Sequence, residues 1–263
     1  KPSVDLAPFI KQYWGMNSAL TTGKKHIQRI VPNGLMELSF YLGETPRNLN
    51  GEKFFCSHSL ISGQLRSHFD IVTEGTTDLF SVSLKPYGAT MFFDIPMSEI
   101  TDHHVALRDL VPKKIELPEE KLYEVIDFPS RVQVIEKWLR KLIKQKQENY
   151  SIKRIIYNIQ KIDSSRGQST IEDLASHACL SRKQYERIFN GQIGLTPKNF
   201  LRIIRFQNAI HYKQKFPEAD LLDLTYQCGY YDQSHMIRDF KALSGHTPKQ
   251  YFDVCPPVSD YFE

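Results

Sequence analysis

The sequence predicts an α+β multidomain chain in two parts. A β-rich N-terminal domain of barrel or sandwich type, residues 1–148, precedes an all-α domain, residues 149–254, in which two helix-turn-helix units are joined by a linker helix. Three observations carry this reading. Short apolar and aromatic runs, broken by Gly, Pro, Asn and Thr, fill roughly the first 115 residues. From Pro129 the apolar spacing lengthens to three and four. Within that helical part, one pattern occurs twice.

In chain order, HIQRIVPNG, LMELSFYLG, KFFCSHSLISGQ, HFDIVTEGT and TDLFSVSLKPYG read as strands, and their close spacing predicts a sandwich or barrel. ATMFFDI, after Gly88, reads as a short helix ended by Pro96. SRVQVIEKWLRKLIKQKQ sets Val132, Ile135, Leu139 and Leu142 on one helical face, with Ser130 as its N-cap. Leu139, Leu142 and Ile143 either pack on the barrel or form a dimer seam. YSIKRIIYNIQKID keeps the helical period through Ile152, Ile155, Ile156 and Ile159, so the connection over 131–162 reads as helical. SSRGQS, 164–169, is a polar loop.

The repeated units are TIEDLASHACLSRKQYERIFNGQIGLTPKNF (170–200) and ADLLDLTYQCGYYDQSHMIRDFKALSGHTPKQYF (219–252). Leu174 aligns with Leu224, Ala175 with Thr225, Cys179 with Gly229, Arg187 with Arg238 and Phe189 with Phe240. Gly194-Leu195-Thr196-Pro197 matches Gly245-His246-Thr247-Pro248. Each unit reads as a short helix, a tight turn, an N-cap (Ser181 or Asp232) and a second helix. Ala175 and Thr225 are small where the helices meet, and Gly229 accepts a positive φ. Ile188 with Phe189, and Met236 with Phe240, face the core.

Outside remain Arg182, Lys183, Glu186 and Arg187 in the first unit, and Gln233, Ser234, His235 and Arg238 in the second. These are donor-rich side chains on helices thin enough for a major groove. Arg grips guanine and Gln grips adenine through paired bonds, and helix N-termini suit phosphates. Between the units, PKNFLRIIRFQNAIHYKQ (197–214) carries a wide apolar stripe. As a rod of ~27 Å it falls short of the ~34 Å between successive grooves on one face. Engaging both therefore calls for bent DNA, at a cost of a few kcal/mol.

Charge placement agrees. Of the 263 residues, 24% are charged, with a net charge of +4. Residues 1–150 hold 19 Lys and Arg against 18 Asp and Glu; residues 151–252 hold 15 against 9. The basic excess sits in the helical part, as a polyanion partner requires. No apolar run reaches the ~18–20 residues that span a bilayer. The chain begins at Lys1, which fits a trimmed start, and shows no signal peptide. The four cysteines have no metal-ligand spacing and read as reduced thiols of a cytoplasmic protein. No nucleophile elbow, P-loop or dinucleotide fingerprint occurs, so no catalytic residue, cofactor or metal site is assigned.

GYYDQSHMIRDFKALSGHTPKQY resembles the signature of AraC-type (AraC/XylS) transcription regulators through their second helix-turn-helix, and LSRKQYERIFNGQIGLTPKNFLRIIRF resembles the first unit and linker helix. The likeness covers about 165–252. Cys179 departs from it where Gly is common, and Thr225 where Ala is common. The resemblance implies base contacts from Lys183, Glu186, Arg187, Gln233, Ser234, His235 and Arg238, and a phosphate contact from Arg182. Glu186 either accepts from cytosine or pairs with Lys183 along its helix, the pairing being favoured. RIVPNGLMELSFYLG and LFSVSLKPYGATMFFDIPMSEITDH are similar to the β-rich sensory domain of some of these regulators. That implies effector sensing, dimerisation, or both. The partners implied are double-stranded DNA, a small-molecule effector, a second copy of the chain and, for an activator, RNA polymerase. Tyr41, His58, Phe80 and Tyr87 are the pocket candidates. The alternatives are a constitutive DNA-binding regulator whose β domain only dimerises, and a cupin-like small-molecule-binding protein.

Overall fold

The structure, a computed structural model, describes residues 1–20, 24–55, 57–143, 150–255 and 261. Its contacts divide into two compact units. One takes in 1–30, 35–64 and 69–148, the other 31–34, 65–68 and 149–263.

In the first unit the strands are β1 (Ile10–Ala19), β2 (Lys25–Ile30), β3 (Met36–Tyr41), β4 (Ser59–Ser62), β5 (Phe69–Glu74), β6 (Thr76–Leu84) and β7 (His104–Ala106). An antiparallel sheet runs β1-β6-β3-β4-β7, and β2 pairs with β5 in a second. The chain passes from β5 to β6, and so between sheets, at Gly75. Its φ of 62° is open to glycine, and a Cβ there would lie 2.5 Å from Glu44 Oε1.

Register decides the faces. Met36 pairs with Leu84, Leu38 with Val82 and Phe40 with Phe80, and all six are at most 1% exposed. Helices follow: α1 (Leu107–Leu110), α2 (Pro112–Glu124) and α3 (Phe128–Leu142). Ile135, Trp138, Leu139 and Leu142 of α3 join the same core, each contributing ~2 kcal/mol by burial. Leu139 and Leu142 are therefore core, not a dimer seam. Arg131 clamps Asp78 of β6 with bonds of 2.7 and 2.8 Å.

Several expectations are corrected here. Asp127, not Ser130, caps α3; its carboxylate accepts from the Ser130 amide at 2.9 Å. Pro129, which has no amide hydrogen, sits harmlessly in the first turn. Ile143 leaves helical geometry at ψ 117°, so α3 stops and no continuous rod runs on to 162. The predicted helix over 144–147 lies outside the described residues. After Gly88 the chain makes a 3₁₀ turn, Gly88–Met91, and Pro96 precedes a second one, Met97–Ile100, rather than ending a helix.

The sheet's other face carries a second cluster of Tyr41, Phe55, Leu60 and Leu79. Neighbouring strand residues point to opposite faces. Tyr41 and Phe80 therefore lie on opposite sides of the sheet, and His58 is exposed. The four pocket candidates do not line one pocket. His104 instead packs edge-on against Phe54, Phe55 and Phe69, at 4.8–5.5 Å between ring centres, and its Nδ1 lies 2.9 Å from Ser62 Oγ. Among the described residues, no three His, Cys, Asp or Glu side chains gather to hold a metal ion.

In the second unit α4 (Tyr150–Ser164) leads into α5 (Ile171–His177), α6 (Arg182–Ile193), α7 (Pro197–Lys215), α8 (Leu221–Gln227), α9 (Gln233–Ser244) and α10 (Pro248–Val254). Among the described residues no helix is long and apolar enough to cross a membrane.

Burial, then the neighbouring His103, lowers the pKa of His104 from 6.5 to about 4. Between those values the unfolded chain binds the proton and the folded one does not, so this contribution is complete above pH 6.5 and is lost as pH falls to about 4. In thermal melts, His104→Phe is expected to flatten the fall in melting temperature between pH 7 and pH 4 relative to wild type.

Candidate nucleic-acid interface

Each repeated unit is built around an inescapable demand: the first amide groups of a helix need acceptors. Ser181 caps α6 and Asp232 caps α9, each accepting from the residue three positions on. Gln184 returns the bond to Ser181, completing a capping box. Both helices end on left-handed glycines, Gly194 at φ 88° and Gly245 at φ 77°. Thr196 and Thr247 then cap α7 and α10, whose first turns carry Pro197 and Pro248. The duplication in sequence is a duplication in structure.

The turns between paired helices match as well. Gly229 has φ 74°, and its counterpart Cys179 takes the same left-handed conformation at φ 51°. Ala175 and Thr225 are 3% and 2% exposed, as close helix approach requires. The cores differ from expectation in one detail. Tyr185, fully buried, joins Phe189, and Ile188 is only half-buried.

Of the eight predicted residues, Arg182, Lys183, Arg187, Gln233, Ser234 and Arg238 are exposed. Glu186 and His235 are half-buried. On α6 the four predicted residues occupy helix positions one, two, five and six, a single face at 100° per residue. Arg238, at position six of α9, repeats Arg187.

Glu186 does not pair with Lys183. It accepts from Arg182 Nε at 3.1 Å, one turn away, while Arg182 Nη1 reaches Glu172 of α5 at 2.5 Å. Arg182 sits at the helix start, where it reaches both carboxylates. The bond to Glu186 and the two negative charges raise its pKa above the usual value.

Sequence reasoning missed a buried ion pair. Arg202 of α7 donates from Nε to Asp239 Oδ1 of α9 at 2.6 Å, and Asp239 is 4% exposed. The legible signal was an acid flanking Phe240 on the inner side of α9, with an arginine in an otherwise apolar stretch of α7. Phe206 meets Phe240 at 4.8 Å between ring centres across the same contact.

A family model described as a helix-turn-helix domain matches residues 174–253. The C-terminal segment belongs to the AraC-type helix-turn-helix family. A second model, described as a domain of unknown function (DUF6597), matches residues 1–106. An uncharacterized HTH-type transcriptional regulator of Haemophilus influenzae is 35% identical over 31% of this chain and 27% of its own. The HTH-type transcriptional regulator MtrA of Neisseria gonorrhoeae is 32% identical over 38% of this chain and 33% of its own. The chain thus spans about a third or less of the length of these curated relatives. The solved structure of ToxT from Vibrio cholerae aligns over 92% of this chain and 98% of its own, at 11% identity and a TM-score of 0.47, too distant a likeness to carry residue roles.

This AraC-type segment makes a paired prediction about its two turns. A Cβ on Gly229 would lie 2.4 Å from Gln168 Cγ in a left-handed backbone. Gly229→Ala is expected to cost ~1–2 kcal/mol in chemical denaturation, whereas Cys179→Gly, which relieves the same backbone, is expected to be neutral or stabilising.

Proposed function

We propose that this chain is a sequence-specific DNA-binding transcription regulator, with no catalytic role and a cytoplasmic location. The observation that carries the reading is the tandem, equally capped helix pair, presenting Arg187 and Arg238 at the same position of two matching helices. In this reading residues 149–254 bind double-stranded DNA and residues 1–148 sense a small-molecule effector, dimerise, or do both. RNA polymerase is the further partner if the protein activates transcription.

Affinity in such a complex comes largely from Lys and Arg displacing counterions at phosphates, and selectivity from base edges. Arg187 and Arg238 are suited to guanine and Gln233 to adenine, with Lys183 and Ser234 beside them. Arg182 is suited to a phosphate, for which its bonds to Glu172 and Glu186 must be exchanged. Glu186 holds Arg182 before DNA is bound. His235, whose ring turns towards Asp239, stands apart from the other seven. With 19 residues, α7 is about 28 Å long, so both helices reach successive grooves on a bent duplex.

Selection of bound sequences from random duplexes with the full chain tests this. Enrichment of a site with two blocks is expected, and no enrichment at low salt sinks the reading. On the selected site, Arg187→Ala and Arg238→Ala are each expected to cost ~1–3 kcal/mol and to relax preference in one block. Arg182→Ala is expected to weaken all sequences alike and to lower the salt slope by about one.

A further inference from the structure

The two reading helices are not held in the same way. On α6, the residues at positions three and seven are Gln184 and Ile188. Gln184 is spent on the capping box, and α6 meets α7 through apolar rings, Phe189 and Phe200 at 5.6 Å. On α9 the same positions carry His235 and Asp239. Position three lies about 130° around the helix from the centre of the face formed by positions one, two, five and six. It shares its flank with position seven, one turn on.

Asp239 is anchored through one oxygen only. Oδ1 takes the bond from Arg202, while Oδ2 is buried with no hydrogen-bond partner. A buried carboxylate oxygen without a donor is costly. His235 lies beside it, with Nε2 3.5 Å away, and the buried Tyr230 also feels the charge of this carboxylate. The other ring nitrogen, Nδ1, lies 3.5 Å from the Tyr231 amide, which donates towards it. Nε2 therefore lies on the Asp239 side of the ring, near Oδ2 but outside hydrogen-bond geometry. The imidazole also lies perpendicular to the Tyr230 ring, at 5.4 Å and 84°. Both ring nitrogens thus have a protein group within 3.5 Å.

We propose that Asp239 is a positioning residue that sets the base preference of α9: fixed by Arg202, it draws His235 aside and leaves Gln233, Ser234 and Arg238 to read the second block. The proposal rests on the DNA-binding reading above and departs from it at one residue. The imidazole is a competent base reader by chemistry, with one donor and one acceptor. Asp239 withholds it. The first helix has no counterpart of this device, since Ile188 offers no acceptor.

The test compares the full chain with its His235→Ala, Asp239→Asn and doubly substituted forms, each selecting duplexes from a random pool. Asparagine keeps an oxygen for Arg202 and puts an NH2 group where His235 had an acceptor. His235→Ala is expected to select the wild-type site with affinity within about twofold. Asp239→Asn is expected to shift preference about tenfold at a base pair of the second block, with the first block unchanged, and the double substitution is expected to abolish the shift. Loss of preference at a base pair in His235→Ala alone overturns the proposal, as does an Asp239→Asn selection identical to wild type. Should Asp239→Asn fail to fold, His235→Gln takes its place: an unchanged site supports the proposal and an altered one overturns it. A wild-type chain that selects nothing overturns the DNA-binding reading itself, and this inference with it.

Discussion

Short connections between helices leave little chain with which to satisfy helix ends, and this requirement organises the second unit. Thr170, Ser181, Thr196, Asp220, Asp232 and Thr247 each place a side-chain oxygen on an amide of the first turn. Because the cap fixes where a helix begins, it also fixes the rotation of everything after it. Arg187 and Arg238 face outward at matching positions since both are counted from a cap. Phe189 and Phe240 face inward for the same reason. Without the caps, the apolar stripes alone would leave each short helix free to slip in register.

This is also why the second unit was legible in the sequence. Caps, left-handed glycines and Pro in the first turn are local features, and local features are written in adjacent residues. The first unit was harder to read for the opposite reason. Its strand β1 has a Gly and an Asn amid its apolar residues, and its pairing with β6 spans more than fifty residues of sequence. The face to which Phe80 turns depends on its partner Phe40 across the sheet. The pocket candidates failed on that point, since aromatic character cannot show which side of a sheet a residue takes. Ser130 failed on a finer one: two cap-competent residues flanked Pro129, and the carboxylate two residues upstream of it prevailed over the hydroxyl just after it.

Six of the eight predicted positions were legible as exposed ones, but the bonds among these residues were not. The resemblance implies a phosphate contact from Arg182, which lies between two carboxylates. Lys183 and Arg182 are both within one helical turn of Glu186, so spacing does not choose between them, and Arg182 takes the bond. Arg202 and Asp239 went unseen because they are 37 residues apart and join different helices. Their pairing meets the demand of a buried carboxylate for a donor. It also gives α9 an orientation that apolar contact, which has no direction, supplies less sharply.

The linker helix α7 is buried along much of its length, with Phe200 and Ile204 at less than 1% exposure near one end and Phe206, Ala209 and Ile210 at the same level towards the other. Such a rod acts as a phase standard. Each inserted residue would advance its far end by ~1.5 Å and turn it by about 100°. A single insertion would therefore swing the second pair of helices around the axis of α7 rather than simply move it along. In the DNA-binding reading proposed above, tolerated changes of spacing would come in steps near whole helical turns, so the distance between the two blocks of a target would be held more tightly than their base sequence.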